Sequence, residues 1–226
     1  MRVLGIETAT AVCAAALVID GRVERESLLD AGRVHAERLM GQIAGVLGGG
    51  GVDRLDGVAV SIGPGSFTGL RIGVSVAKGI VFAREIPLVA VPTLEALALH
   101  AWATDAPPPG TRLLAALDAR RIEVYCQIFD AAPGGPVSRG EPRDMTLDAL
   151  RGELGTGPAL VTGDAAAKIV AGVGPGSGLR PVSERARACS AASVARIGER
   201  LLLAGKVEDP ATLEPRYIKE FFLTTR

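Results

Sequence analysis

Residues 61–80 read SIGPGSFTGLRIGVSVAKGI, and the fold turns on how this passage joins a strand to a helix. The run before it, LDGVAVSI (55–62), is apolar and short enough for a buried strand. After the loop, apolar residues recur at helical spacing from Ser66 or Thr68 to Arg84. A glycine-rich link between strand and helix is where many proteins hold phosphate. The lysine-bearing phosphate loop does not fit, because Gly63 and Gly69 lie six apart and Leu70 follows. The dinucleotide pattern starts at Gly63 and Gly65, then places Thr68 where its last glycine belongs. Only the general attraction of a helix N-terminus for anions is left.

A second regularity lies inside the helix. Gly65, Gly69, Gly73 and Ala77 recur every four residues, beside an apolar stripe of Leu70, Val74 and Val81. Glycine within a helix is about 1 kcal/mol less favourable than alanine, so the repeat needs compensation from close backbone packing. The bare face is expected to receive another helix, either from this chain or from a partner. Arg71, Lys78 or His35 would give polar definition at the rim of that contact.

Outward from this core the elements alternate. RVLGIE (2–7) suits a central strand, and two extended runs flank the tight turn at Asp20–Gly21. A helix is expected from Val34 to Leu47, stopped by the glycines at 48–51. IPLVAV (86–91) reads as a strand and Pro92 or Thr93 opens a helix through about Trp102. TDAPPPGT (104–111) is the clearest linker. Beyond it, RLLAALD (112–118) and IEVYCQIFD (122–130) read as strands joined by a tight turn. A helix near 146–154, a strand at 159–163, a helix at 164–171 and an amphipathic helix at 190–204 follow. Each half opens on an apolar strand ending in an acid, Glu7 or Asp118, which suggests a duplicated α/β lobe. The expected division is 1–103 for the first lobe and 112–226 for the second, whose last helix or tail packs back on the first.

The bulk numbers set limits. Lys and Arg together equal Asp and Glu at 25 each, so no global charge favours nucleic-acid binding by this chain alone. Cys13, Cys126 and Cys189 are scattered among apolar or small residues, as reduced buried thiols would be. The N-terminus lacks the pattern of a secretion signal and no long apolar run occurs, so a cytoplasmic protein is expected.

Candidate chemistry is sparse. In GIETAT (5–10) an acid at a strand end precedes Thr8 and Thr10, a pattern that holds a hydrated metal and phosphate in some lobes. The alternative is that Glu7 merely closes a sheet edge. His35 and His100 are the only histidines and form no metal-binding spacing. Ser66 and Ser75 have no base at a motif distance. The Arg120–Arg121 turn after Asp118 is either a contact for a partner's acids or a solvated loop.

Several passages together resemble the TsaB family: GIETAT, HAERL, SIGPGSFTGLRIGVSVAKGI, VPTLEALA and DARRIEVYC, with EPRYIK (214–219) near the end. The resemblance is strong over residues 1–130 and thinner afterward. It implies a two-lobed fold of the actin-like, sugar-kinase and Hsp70 ATPase type, in degenerate form. It implies a non-catalytic dimerization subunit for the TsaD enzyme, which transfers a threonylcarbamoyl group to N6 of the tRNA adenosine beside the anticodon. A TsaE-like ATPase completes such a complex, and the chain alone would be a homodimer. The partner interface would comprise His35, Gly65, Ser66, Phe67, Gly69, Leu70, Arg71, Gly73, Val74, Ala77 and Lys78. Glu7, Thr8, Thr10 and Asp118 would be a vestigial phosphate site. No cofactor would stay on the chain alone; ATP or ADP and a divalent metal would enter at the level of the complex, and tRNA only through it. The family usually begins DTST, whereas this chain has Glu7-Thr8-Ala9-Thr10. The rival reading is a nucleotide-dependent phosphotransferase of the same fold, with a peptidase a remote third.

Overall fold

The computed structural model describes residues 1–30, 32, 35–154, 157–174 and 176–218. Val34, where the first helix is expected to begin, Lys219 of the EPRYIK segment, and the tail after it lie outside the described residues.

Strands β1 (Arg2–Glu7), β2 (Val12–Ile19) and β3 (Arg22–Asp30) form an antiparallel meander. The turn between β2 and β3 places Asp20 and Gly21 at φ 49° and 74°, the pair of positive values that a two-residue hairpin needs. Helix α1 (His35–Leu47), β4 (Gly57–Ser61), α2 (Phe67–Arg84), β5 (Leu88–Val91) and α3 (Thr93–Asp105) follow. The first sheet has the order β3-β2-β1-β4-β5, with β1, β4 and β5 parallel. β1 is buried on both faces from Val3 to Glu7, which explains its uninterrupted apolar run. One face packs on α1 and α2 through Leu4, Ile6, Leu39, Ile43, Val74 and Val81.

The second sheet contains β6 (Arg112–Asp118), β7 (Glu123–Ala132), β8 (Gly135–Ser138), β9 (Arg143–Thr146), β10 (Ala159–Thr162) and β11 (Leu179–Pro181). Its order is β11-β10-β6-β7-β8, and β9 pairs β7 beyond the tract occupied by β8. Helices α4 (Leu147–Leu154) and α5 (Ala166–Val173) cover its outer face. β8, β9 and β11 escape the sequence reading because each spans three or four residues among glycines and prolines. Pro136 and Pro181 are tolerated because their strands are at the sheet's edges.

The last helix, α6 (Ala191–Leu203), belongs by sequence to the second half but lies on the first sheet, where Val194, Ala195 and Ile197 meet Val3, Val18 and Ala59. Small residues make this contact close. A Cβ on Gly5 would overlap the Ala191 carbonyl, and one on Gly198 would overlap the Ala59 side chain. Conversely, α3 of the first half packs Leu94, Leu97 and Ala98 onto Leu113, Leu117 and Phe129 of the second sheet. The two helices form a shared middle layer between the sheets. The tail then returns along the first sheet, with Glu208 N–H donating to the Leu88 carbonyl at 2.9 Å and Arg216 N–H to the Ile62 carbonyl at 2.7 Å.

Candidate functional site

The end of β1 is sealed. Glu7 and Thr8 are 0% exposed. Glu7 Oε1 accepts the Ala9 N–H at 2.6 Å, and no well-formed hydrogen bond reaches Oε2. Burial pushes the Glu7 carboxyl up to about 7, outweighing the opposing pull of the Ala9 N–H and the nearby Ser61 hydroxyl. The Thr10 hydroxyl accepts the Val12 N–H at 3.2 Å. Cys189 lies close by, and burial raises its thiol well above the ordinary range. A hydrated divalent ion needs oxygen ligands open to water and phosphate. Glu7 and Thr8, closed off from water, do not fit one.

At the corresponding strand end of the second sheet, Asp118 is engaged differently. Its carboxylate accepts from Lys168 Nζ at 2.6 Å and from the Arg120 N–H at 2.8 Å. Burial raises its pKa, but the Lys168 ammonium and the Arg120 N–H outweigh burial and hold it below the usual carboxylate value. Asp164, whose carboxylate accepts the Asp118 N–H, shifts the other way, because the loss of water around the carboxyl and the neighbouring Asp118 charge both disfavour its ionised form. Arg120 and Arg121 form an exposed turn at φ 73° and 50°.

The loop at 63–66 is occupied by its own chain. The Gly63 N–H donates to Thr93 Oγ1 at 3.0 Å, and the Ser66 N–H to the Ala9 carbonyl at 2.6 Å. Ser66 Oγ caps α2 by accepting the Gly69 N–H at 3.2 Å. A Cβ on Gly63 would overlap the Arg216 carbonyl, so the glycine admits the returning tail. At the first turn of α2, the Arg71 guanidinium lies 3.8 Å from the centre of the Phe67 ring and donates to the Tyr217 hydroxyl at 3.2 Å. The Phe67 and Tyr217 rings are 5.1 Å apart.

The small-residue stripe of α2 is also filled from within, and this corrects its assignment as a partner groove. A Cβ on Gly65 would overlap the Ala9 carbonyl. One on Gly69 would overlap the Thr8 carbonyl, and one on Gly73 the Thr8 hydroxyl. Leu70, Val74 and Ala77 are buried in the same layer. The compensation for repeated glycine is therefore the approach of the β1–β2 connection, not a second helix. His35 is buried too; its Nε2 lies 3.0 Å from the Thr10 carbonyl and 3.1 Å from the Val12 carbonyl. With two carbonyls facing it, that nitrogen carries the proton and ties α1 to the same connection. Of the eleven expected interface residues, Ser66 and Arg71 are exposed, while Gly65, Phe67 and Lys78 are half-buried.

The outward face of α2 is a different stripe. Ser75, Gly79, Phe82 and Ala83 are exposed, flanked by half-buried Ile72 and Val76. Phe82 is 84% exposed, and a Cβ on Gly79 would meet nothing within 4 Å. On neighbouring α1, Met40 is 55% exposed beside exposed Gly41 and Ala44. The two helices present an apolar, small-residue surface suited to close helix packing. The signal for it was in the sequence, in Met40, Gly79 and Phe82, but it was masked by the stronger glycine repeat.

Among the described residues no helix is long and apolar enough to cross a membrane. The family description "TsaD: tRNA N6-adenosine threonylcarbamoyltransferase" matches residues 29–132. The chain is 38% identical over 149 residues to the tRNA threonylcarbamoyladenosine biosynthesis protein TsaB of Escherichia coli, covering 65% of this chain and 62% of that protein. It is 34% identical over 127 residues to the protein of the same name from Haemophilus influenzae, covering 55% of this chain and 52% of that one. The matched stretch thus spans between half and two thirds of the length of these two relatives. Among solved structures it is similar to YeaZ from Pseudomonas aeruginosa, with a TM-score of 0.80 and 24% identity over 96% of this chain and 99% of that one. The fold is the actin-like ATPase type, built on two mixed sheets. The chain is similar in sequence to the TsaB proteins.

Proposed function

We propose that this chain is a non-catalytic scaffold in the biosynthesis of threonylcarbamoyladenosine in tRNA, docking a TsaD-like catalytic subunit on the outward faces of α1 and α2. The observation that carries the pathway is the likeness to proteins named for it. The docking role draws on the exposed stripe of Phe82, Gly79 and Met40. An exposed aromatic beside small residues is the composition of an anchoring contact. The non-catalytic role draws on the closed first-strand end, where Glu7 is turned onto its own backbone. The same face would serve a second copy of the chain when the catalytic subunit is absent. A TsaE-like ATPase, ATP or ADP and a divalent ion belong in this reading to the assembled complex, which works in the cytoplasm and contacts tRNA as a whole.

Co-purification with the TsaD-like subunit tests this, followed by a tRNA modification assay with and without the chain. Phe82→Asp and Gly79→Arg are expected to abolish co-purification while the free chain keeps its circular dichroism spectrum. Full modification without the chain, or an intact complex with both substitutions, would overturn the reading.

A further inference from the structure

A cavity of about 730 Å³ opens at the opposite end of the second sheet from Asp118, where β6, β10 and β11 begin. Its size falls within the range of small-molecule sites, about 300–1,000 Å³. Three arginines line it: Arg112, Arg139 and Arg180. The one carboxylate in the lining, Asp130, accepts from Arg139 Nε at 2.7 Å. Arg112 directs Nη1 to the Leu154 carbonyl at 2.8 Å, while Arg180 is exposed at the rim. Three cations and one anion line a single hollow in a chain whose charges as a whole balance. A concave wall concentrates such a field, and the planar guanidinium fork matches phosphate oxygens in pairs. Apolar Pro109, Pro158 and Leu160 line the cavity beside the arginines.

From this mixed lining we infer that the cavity binds a nucleotide phosphate, with arginines on the phosphate and the apolar side chains against sugar or base. The ligand is either a free nucleotide or a nucleotide of an RNA strand; the chemistry recognised is the same. The site is separate from the outward faces of α1 and α2 and does not depend on what docks there.

Titrating the full chain with ADP and, separately, with an unmodified tRNA transcript tests this by calorimetry at low and raised salt. The wild-type chain is expected to bind at least one of them, more weakly as salt rises. Arg139→Glu with Arg180→Glu should weaken that binding by about tenfold or more. Reversal of two exposed charges outside the cavity lining, Arg22→Glu with Lys206→Glu, changes the net charge equally and should leave it within about twofold. Loss of ADP binding identifies a free nucleotide as ligand, and loss of tRNA binding alone identifies an RNA phosphate. If neither probe binds, or the pocket variants bind as the controls do, the inference is wrong. Should the double variant melt early, Arg180→Ala alone provides the same reading, since that side chain is at the rim.

Discussion

At the scale of the residue, Glu7 separates a motif from its environment. The sequence places an acid and two hydroxyls at a strand end, which is legible as a phosphate-site pattern. What it cannot convey is that α2 and the segment around Cys189 close over that end, leaving Glu7 and Thr8 without solvent. The consequence is measurable. Burial raises the Glu7 pKa from 4.5 to about 7, so between those values the folded state holds more protons than the unfolded one. Stability from this group is therefore complete below about pH 4.5 and falls as pH rises through 7. The shift corresponds to roughly 3 kcal/mol as an order of magnitude. Glu7→Gln keeps an acceptor for the Ala9 N–H and cannot ionise. It is expected to raise the melting temperature at pH 8, to change little at pH 4.5, and to flatten the stability profile between them. Urea denaturation across that range is the check; a wild-type curve that rises toward pH 8 would contradict the assignment.

At the scale of the element, α2 shows how far periodicity can be read. The repeat at Gly65, Gly69, Gly73 and Ala77 correctly announces a close approach of backbone. Its partner is Thr8–Ala9, about sixty positions away in sequence, and nothing in a helical period names a strand end as the filler. Position within the helix then decides the sign of a substitution. Gly69→Ala puts a methyl group onto the Thr8 carbonyl, backbone that cannot step aside, and should destabilise the chain by about 2 kcal/mol or more. Gly79→Ala meets open space and should stabilise it by roughly 0.5–1 kcal/mol by reducing the freedom of the unfolded chain. Equal effects in denaturant titrations would mean that the two faces of α2 are not distinguished as described. The same contrast explains why probes of docking belong at Gly79 and Phe82. Substitution at Gly69 or Gly73 would disrupt the fold before it reported on any partner.

At the scale of the whole molecule, the halves exchange helices, and this was only partly legible. The two acid-ended strands and the proline-rich linker make a duplicated α/β plan readable from sequence. The amphipathic pattern of 191–203 marks a buried helix without naming its sheet, because Val194, Ala195 and Ile197 would suit any apolar face. Only the matched small residues, Gly5 under Ala195 and Gly198 over Ala59, fix its seat on β1 and β4. The first lobe should then not be an independent folding unit. A fragment of residues 1–105 contains the whole first sheet, yet it lacks α6 and leaves Val3, Val18 and Ala59 without their cover. It also lacks the second sheet, against which α3 packs Leu94 and Leu97. With small-domain stability of only about 5–15 kcal/mol, losing both contacts is expected to abolish a cooperative melt, although strand and helix signals persist in circular dichroism. Supplying residues 106–218 in trans should restore cooperativity, because it returns both covering surfaces at once. A sharp thermal transition of the 1–105 fragment alone would show that the exchanged helices are ornaments on a self-sufficient lobe.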